Sequence, residues 1–346
     1  MSEVLLPIVP APMTSFQHIA FSLAVLLNHP ECLPWFYSNF IQLEYFTDQR
    51  GGALSFVGGW ITDIPWIEYQ YMKKEDFIRQ TSDLQRSLRE FLSDGWYFYS
   101  LVDEFYVPKR VKYNKVHSSQ DFLLFGFNDQ AKEYSILGYS DRGIFEATRI
   151  GYDDFQKAFE STRELIHYHQ PCVILYKKRA DLEIDFNLKY IYDMFFDYVN
   201  CRNTSARLGI TQRATLENRI FGVNCYDHFI NYLQMMYDRQ VNHYKGLYRS
   251  ARSLHVLWEH KKCMLLRLEY LYQQGWLENY DYFYNFFQKL ENEFLMLRNT
   301  QVKYSLNEDR ELLAEIMNAL RESKKLEAQI LQEMLEIFSQ KLNAWS

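Results

Sequence analysis

The chain has 346 residues, 48% of them hydrophobic and 24% charged, which excludes a small disulfide-stapled module and a disordered chain and points to two domains. Its 38 Lys and Arg against 44 Asp and Glu leave a net charge of -6, so no nucleic acid is expected as a partner. The five cysteines, Cys32, Cys172, Cys201, Cys225 and Cys263, are scattered and form no C-x-x-C pair, which fits a reducing cytoplasm. No targeting or membrane-spanning segment is expected, because the apolar run from His18 to Leu27 is too short.

In chain order, Gln17 to His29 carries Ile19, Leu23, Leu26 and Leu27 at helical spacing, and Pro30 stops it. The glycine-framed GGALSFVGG, Gly51 to Gly59, reads as a loop or a short irregular strand. Ser82 to Ser93 predicts a second helix ending before Gly95. Five short aromatic or β-branched segments follow: Trp96 to Val102, Phe122 to Phe127, Glu133 to Leu137, Ile144 to Ile150 and Cys172 to Tyr176. They predict one antiparallel sheet, with turns at Asn128-Asp129 and Ser140 to Gly143 and a covering helix within Asp153 to His169. Residues 1–180 thus read as an α+β domain, helix packed on antiparallel sheet.

From Asp185 onward the pattern is helical throughout, so 185–346 reads as an all-α domain, with a capping box at Ser305 and Glu308 before the last helix. Asn200 to Arg219 is a polar interruption within it.

His255, Glu259 and His260 share a helix but lack a third metal ligand, and a hydrogen-bonded pair is the simpler reading. His167 and His169 alternate and read as exposed residues. The paired glycines 51-52 and 58-59 match no phosphate-binding motif, and no G-x-S-x-G elbow is present. Neither a metal nor a cofactor is expected. The aromatic stripes Tyr190, Phe195, Tyr198 and Tyr282, Phe286, Phe287 read as helix-helix core. Glu259, Lys261, Lys262, Arg267 and Glu269 read as a solvated face, with a buried polar network as the alternative.

Five segments in order carry a family resemblance: QHIAFSLAVLLNH (17–29), GWYFYSLVDEFYVP (95–108), QDFLLFGFND (120–129), FGVNCYDHFINYL (221–233) and LHVLWEHKKCMLLRL (254–268). Together they resemble the butirosin biosynthesis protein H-like family, a papain-like fold related to the bacteriocin-processing cysteine peptidases with a helical C-terminal extension. The resemblance implies a cysteine thiolate at a helix N-terminus, paired with an imidazole, that moves an aminoacyl group from a carrier-protein thioester to an amine. Here His18 stands in the cysteine's register and Gln120 in the histidine's, and the third, acidic position falls near Gly138 or Tyr139. An amide cannot accept a proton, so Asp121 beside Gln120 is the alternative base, and a displaced Ser15 and His117 pair is a second arrangement.

Three functions follow from this resemblance. The first is a degenerate, non-covalent binder of an acyl or peptidyl carrier protein in natural-product biosynthesis. The second is an acyltransferase or amide-forming enzyme using His18 or Ser15 and His117, with a small-molecule amine or acyl substrate. The third is a non-catalytic helical interaction protein. No membrane partner is expected, and the aromatic surface is compatible with a homodimer.

Overall fold

The computed structural model describes residues 2–47, 53–162, 165, 171–208 and 218–343. In chain order the elements are β1 (Glu3–Leu5), α1 (Gln17–Leu26), α2 (Leu33–Ser38), β2 (Leu43–Phe46), β3 (Leu54–Phe56), β4 (Ile67–Lys73), α3 (Lys74–Gln80) and α4 (Leu84–Ser93). There follow β5 (Tyr97–Asp103), β6 (Ser119–Asn128), β7 (Glu133–Tyr139), β8 (Phe145–Gly151), α5 (Tyr152–Ser161) and β9 (Cys172–Lys178). The remainder comprises α6 (Leu188–Val199), α7 (Ser205–Leu208), β10 (Arg219–Phe221), α8 (Asn224–Tyr237), α9 (His243–Gln273), α10 (Tyr280–Asn307) and α11 (Arg310–Asn343). No described helix is long and apolar enough to cross a membrane.

The chain divides into two compact units, Met1–Cys32 with Gly59–Glu183, and Leu33–Gly58 with Ile184–Ser346. The first holds a seven-stranded antiparallel sheet in the order β4-β9-β5-β6-β7-β8, with β1 paired to β6. All five strands expected from the sequence are present, and β1 and β4 are added to them.

Alternation of side chains along the strands separates two faces. On one, Phe98, Phe122, Leu124, Ile136 and Val173 pack with Leu88 and Leu92 of α4 and with Phe155 and Phe159 of α5. On the other lie Tyr97, Tyr99, Ile174 and Tyr176, and Phe21 of α1 meets the Tyr99 ring edge-on with centroids 6.2 Å apart. α1 is buried on all sides except at His18, as expected of a helix apolar around its whole circumference.

The second unit is not all helical, which corrects the expectation for 185–346. β10 pairs antiparallel with β2, and β2 with β3, so three strands of three or four residues lie among the helices. Such strands exist through pairing with a distant segment rather than through local propensity.

The capping box is also corrected. Ser305 lies inside α10, its hydroxyl bonded to Val302 O, and Glu308 takes a left-handed conformation (φ 56°) that ends that helix. Asp309 instead starts α11 by accepting from Glu311 N at 3.1 Å.

Three of the five charged side chains of α9 read as a solvated face, Glu259, Lys261 and Arg267, are buried together with His260, each at most 1% exposed, which is the alternative of a buried polar network. Arg267 donates to Tyr37 O at 2.7 Å and Asn39 O at 2.6 Å, where the carbonyl end of α2 offers a favourable site for a cation. Lys261 donates to Glu327 of α11 and lies 3.0 Å from His260 Nδ1, while His260 Nε2 donates to Ile41 O at 2.8 Å. Because Nδ1 faces an ammonium and Nε2 a carbonyl, the imidazole is fixed as the neutral Nε2–H tautomer.

Burial, reinforced by Lys261 and Arg267, pulls the His260 pKa well below its ordinary value, against the pull of the Ile41 carbonyl. Its other neighbours include Glu327 Oε1 at 3.7 Å and the stacked rings of Tyr198 at 5.2 Å and Phe56 at 6.2 Å. The unfolded chain binds a proton near pH 6.5 that the folded state refuses, so this contribution to stability is complete above that pH and is lost as the pH falls below it. We expect His260 to remove at most about 2 kcal/mol between pH 7 and pH 5. His260→Gln, which retains a donor and an acceptor, flattens that part of the urea-midpoint profile; an unchanged slope refutes the assignment.

Candidate functional site

One end of the first unit's sheet gathers the residues singled out by the resemblance. β5 ends there at Asp103 opposite Ser119, where β6 begins, and β7 ends beside the start of α1. Gln17 is buried, and its Oε1 accepts from Tyr139 N at 3.1 Å, while the Tyr139 hydroxyl donates to Thr14 O at 2.9 Å. Gly138 leaves no room for a side chain, since a Cβ would lie 2.8 Å from Gln17 Oε1 and 3.2 Å from Arg110 Nη2. Arg110 donates to Tyr139 O, and burial lowers its pKa to about 10 although Glu104, Glu146 and Asp141 oppose that shift.

His18, half-buried, sets its ring edge-on to Trp60 at 4.5 Å, with Phe16 at 5.8 Å. Asp121 pairs with Leu101 and accepts from the Tyr99 hydroxyl at 2.8 Å, so it lies on the face that α1 covers. Gln120 pairs with Val102, a member of the core on the α5 side, and strand alternation directs it to the opposite face. The sheet therefore brings Asp121 to the α1 side and leaves Gln120 away from it.

His117 bonds Asp103, not Ser15: its Nδ1 lies 2.6 Å from Asp103 Oδ2. The carboxylate is fully buried and also accepts from Ser118 N at 3.0 Å, Phe105 N at 3.1 Å and Ser161 Oγ at 3.1 Å. Burial acts to raise its pKa, but these hydrogen bonds, His117 foremost, outweigh burial and hold it below the usual range. The imidazole stacks on Phe105 at 4.1 Å and 17° and is half exposed. With a carboxylate on Nδ1, that nitrogen carries the proton and Nε2 is left as the acceptor. Asp103 stood in the quoted segment 95–108, yet nothing in its spacing identified His117 as its partner.

Burial shifts the pKa of each of the five cysteines upward, away from a thiolate. Burial pushes Cys32 and Cys263 up to about 12 and Cys172 up to about 11, and it raises Cys225 and Cys201 as well. In the second unit His255 Nε2 meets Glu259 Oε1 at 2.8 Å, the hydrogen-bonded pair expected, while His260 is committed to Ile41 and Lys261.

No group of three or more His, Cys, Asp and Glu side chains is placed to hold a metal ion among the described residues. His167, His169, Gly51 and Gly52 lie outside those residues. No protein-family model matches the chain, and no curated protein matches it either.

Proposed function

We propose that this chain is a degenerate member of the butirosin biosynthesis protein H-like family: a cytoplasmic protein whose papain-like first unit binds an acyl or peptidyl carrier protein without forming a covalent intermediate. The observation that carries the reading is the start of α1. It lies beside the end of β7, where the resemblance puts the third, acidic position, and in the register of the missing cysteine it presents Gln17 bonded to Tyr139 and His18 against Trp60. Burial raises the pKa of all five cysteines, which supports a reading without a thiolate nucleophile.

Titration with a carrier protein bearing an acylated phosphopantetheine arm tests the proposal. Saturable binding with a Kd of roughly 1–100 μM is expected, with no mass added to the protein. An acyl adduct on His18 or Ser15, or turnover of the thioester, would sink it.

The Asp103–His117 pair favours a second reading, in which His117 Nε2 takes the proton of an attacking amine and the chain is an acyltransferase. His117→Gln then lowers thioester turnover on the order of 100-fold and leaves carrier affinity unchanged. Equal rates for the two proteins exclude that role.

A further inference from the structure

β4 forms one end of the first unit's sheet. Its inner side pairs with β9 without a register break, from Ile67 opposite Lys178 to Lys73 opposite Cys172, and no described strand pairs with its outer side. Outward N–H and C=O groups recur at every second residue of such an edge and invite another strand. Natural edges are usually protected by charge, proline or a bulge. β8, at the other end of the sheet, carries Glu146 and Arg149 along its length, each in an ion pair. β4 carries Glu68 and Lys73 toward its two ends, and Tyr69-Gln70-Tyr71 between them is uncharged and exposed. Tyr69 is 43% and Tyr71 51% exposed.

We propose that β4 is a self-association strand: two copies of this protein pair β4 against β4, antiparallel about a two-fold axis at Gln70, and join their sheets into one. The occupant follows from the sequence of the strand. A two-fold interface requires residue i to meet j and j to meet i. In an antiparallel pair, outward-facing residues must oppose outward-facing residues, so opposed positions lie an even number of residues apart. Among such registers the one centred on Gln70 spans the whole of β4, and its ladder bonds come from Tyr69 and Tyr71, because Ile67 N is already bonded to Ile64 O at 3.1 Å.

That register places Tyr69 opposite the second copy's Tyr71, twice over, Gln70 opposite its own copy, Glu68 opposite Met72 and Ile67 opposite Lys73. No like charges oppose each other, and both aromatic pairs fall on one face, where cross-strand rings attract. A strand of another protein would have no reason to share this near-palindrome. The interface is small, so association is weak.

Sedimentation velocity on the full chain, from a few to about 200 μM, is expected to show 41.8 kDa monomers converting to dimers at a Kd of roughly 10–100 μM. Gln70→Cys forms an intermolecular disulfide under mild oxidation, because opposed Cα atoms about 5 Å apart suit the bond, whereas Glu68→Cys faces Met72 and does not. Tyr69→Lys with Tyr71→Lys sets lysines against lysines and weakens the dimer at least 10-fold, with an unchanged circular dichroism spectrum. A chain that stays monomeric at the highest concentration overturns the proposal, including where the edge instead receives a strand of a different protein. So does a dimer that Gln70→Cys fails to cross-link or that survives the two lysines.

Discussion

Glu327→Ala is expected to destabilise the second unit by about 3–5 kcal/mol, the loss typical of leaving one member of a buried ion pair unpartnered. Glu327 is fully buried; its Oε1 accepts from Lys261, and its Oε2 accepts from the Tyr226 hydroxyl at 2.7 Å and the Tyr198 hydroxyl at 3.3 Å. Alanine removes three acceptor contacts together and leaves an ammonium with His260 Nδ1 as its remaining hydrogen-bond partner. Burial already lowers the Lys261 pKa while Glu327 works to raise it, so loss of the carboxylate drives the lysine toward its neutral form.

Converting the pair to Lys261→Met with Glu327→Leu is expected to recover only the part due to the unpaired ammonium, since the Tyr226 and Tyr198 hydroxyls and His260 Nδ1 still lose their partner. Urea unfolding measures both variants, and a constant m value shows that stability rather than denatured-state compactness has changed. A Glu327→Ala protein within 1 kcal/mol of the parent would show that this network contributes little.

Gly222→Ala is expected to cost at least about 3 kcal/mol by a different mechanism. Gly222 has φ +62°, and a Cβ there would lie 2.0 Å from Tyr198 O and 2.8 Å from Tyr198 C. Both obstructing atoms are backbone, and the same carbonyl accepts from Val223 N at 3.0 Å, so relief requires moving the end of α6 or the start of α8. Gly143→Ala is the control: φ is similar at +70°, but nothing lies within 4 Å, so only the conformational cost of about 1 kcal/mol is due. Equal melting temperatures for the two variants would refute the steric argument.

The parts of the fold visible in the sequence are those with local causes. α1 and α4 follow from apolar spacing and a closing Pro or Gly, and β5 to β9 from aromatic and β-branched runs between turn residues. β4 was missed although Ile67, Tyr69 and Tyr71 alternate with Glu68 and Gln70, because no turn residues mark its C-terminal end, where Lys73 runs straight into α3. β3 falls in the glycine-framed segment read as a loop or a short irregular strand, whereas β2 and β10 are too short to register, and the existence of all three depends on pairing with other segments.

The site was legible to a similar degree. Asp121 and Gln120 are neighbours in sequence, and only the register of β6 against β5 reveals that they face opposite ways. The partnership of His117 with Asp103 spans the turn region between those two strands, and that of Lys261 with Glu327 joins two helices. Helical periodicity averaged Lys261 and Arg267 into a polar stripe because it takes no account of what each charge meets across the packing.

That Leu33–Gly58 belongs with Ile184–Ser346 has a consequence for biosynthesis. Phe36, Ile41, Leu43, Leu54 and Phe56, all buried in the finished protein, leave the ribosome long before α9, against which α2 and β3 pack, has been translated. At about 5–20 residues per second, the gap of some 200 residues is a delay of roughly 10–40 s during which this greasy stretch has no home. A nascent chain truncated at Glu183 should therefore recruit a holdase chaperone, whereas one extended through α11 should release it.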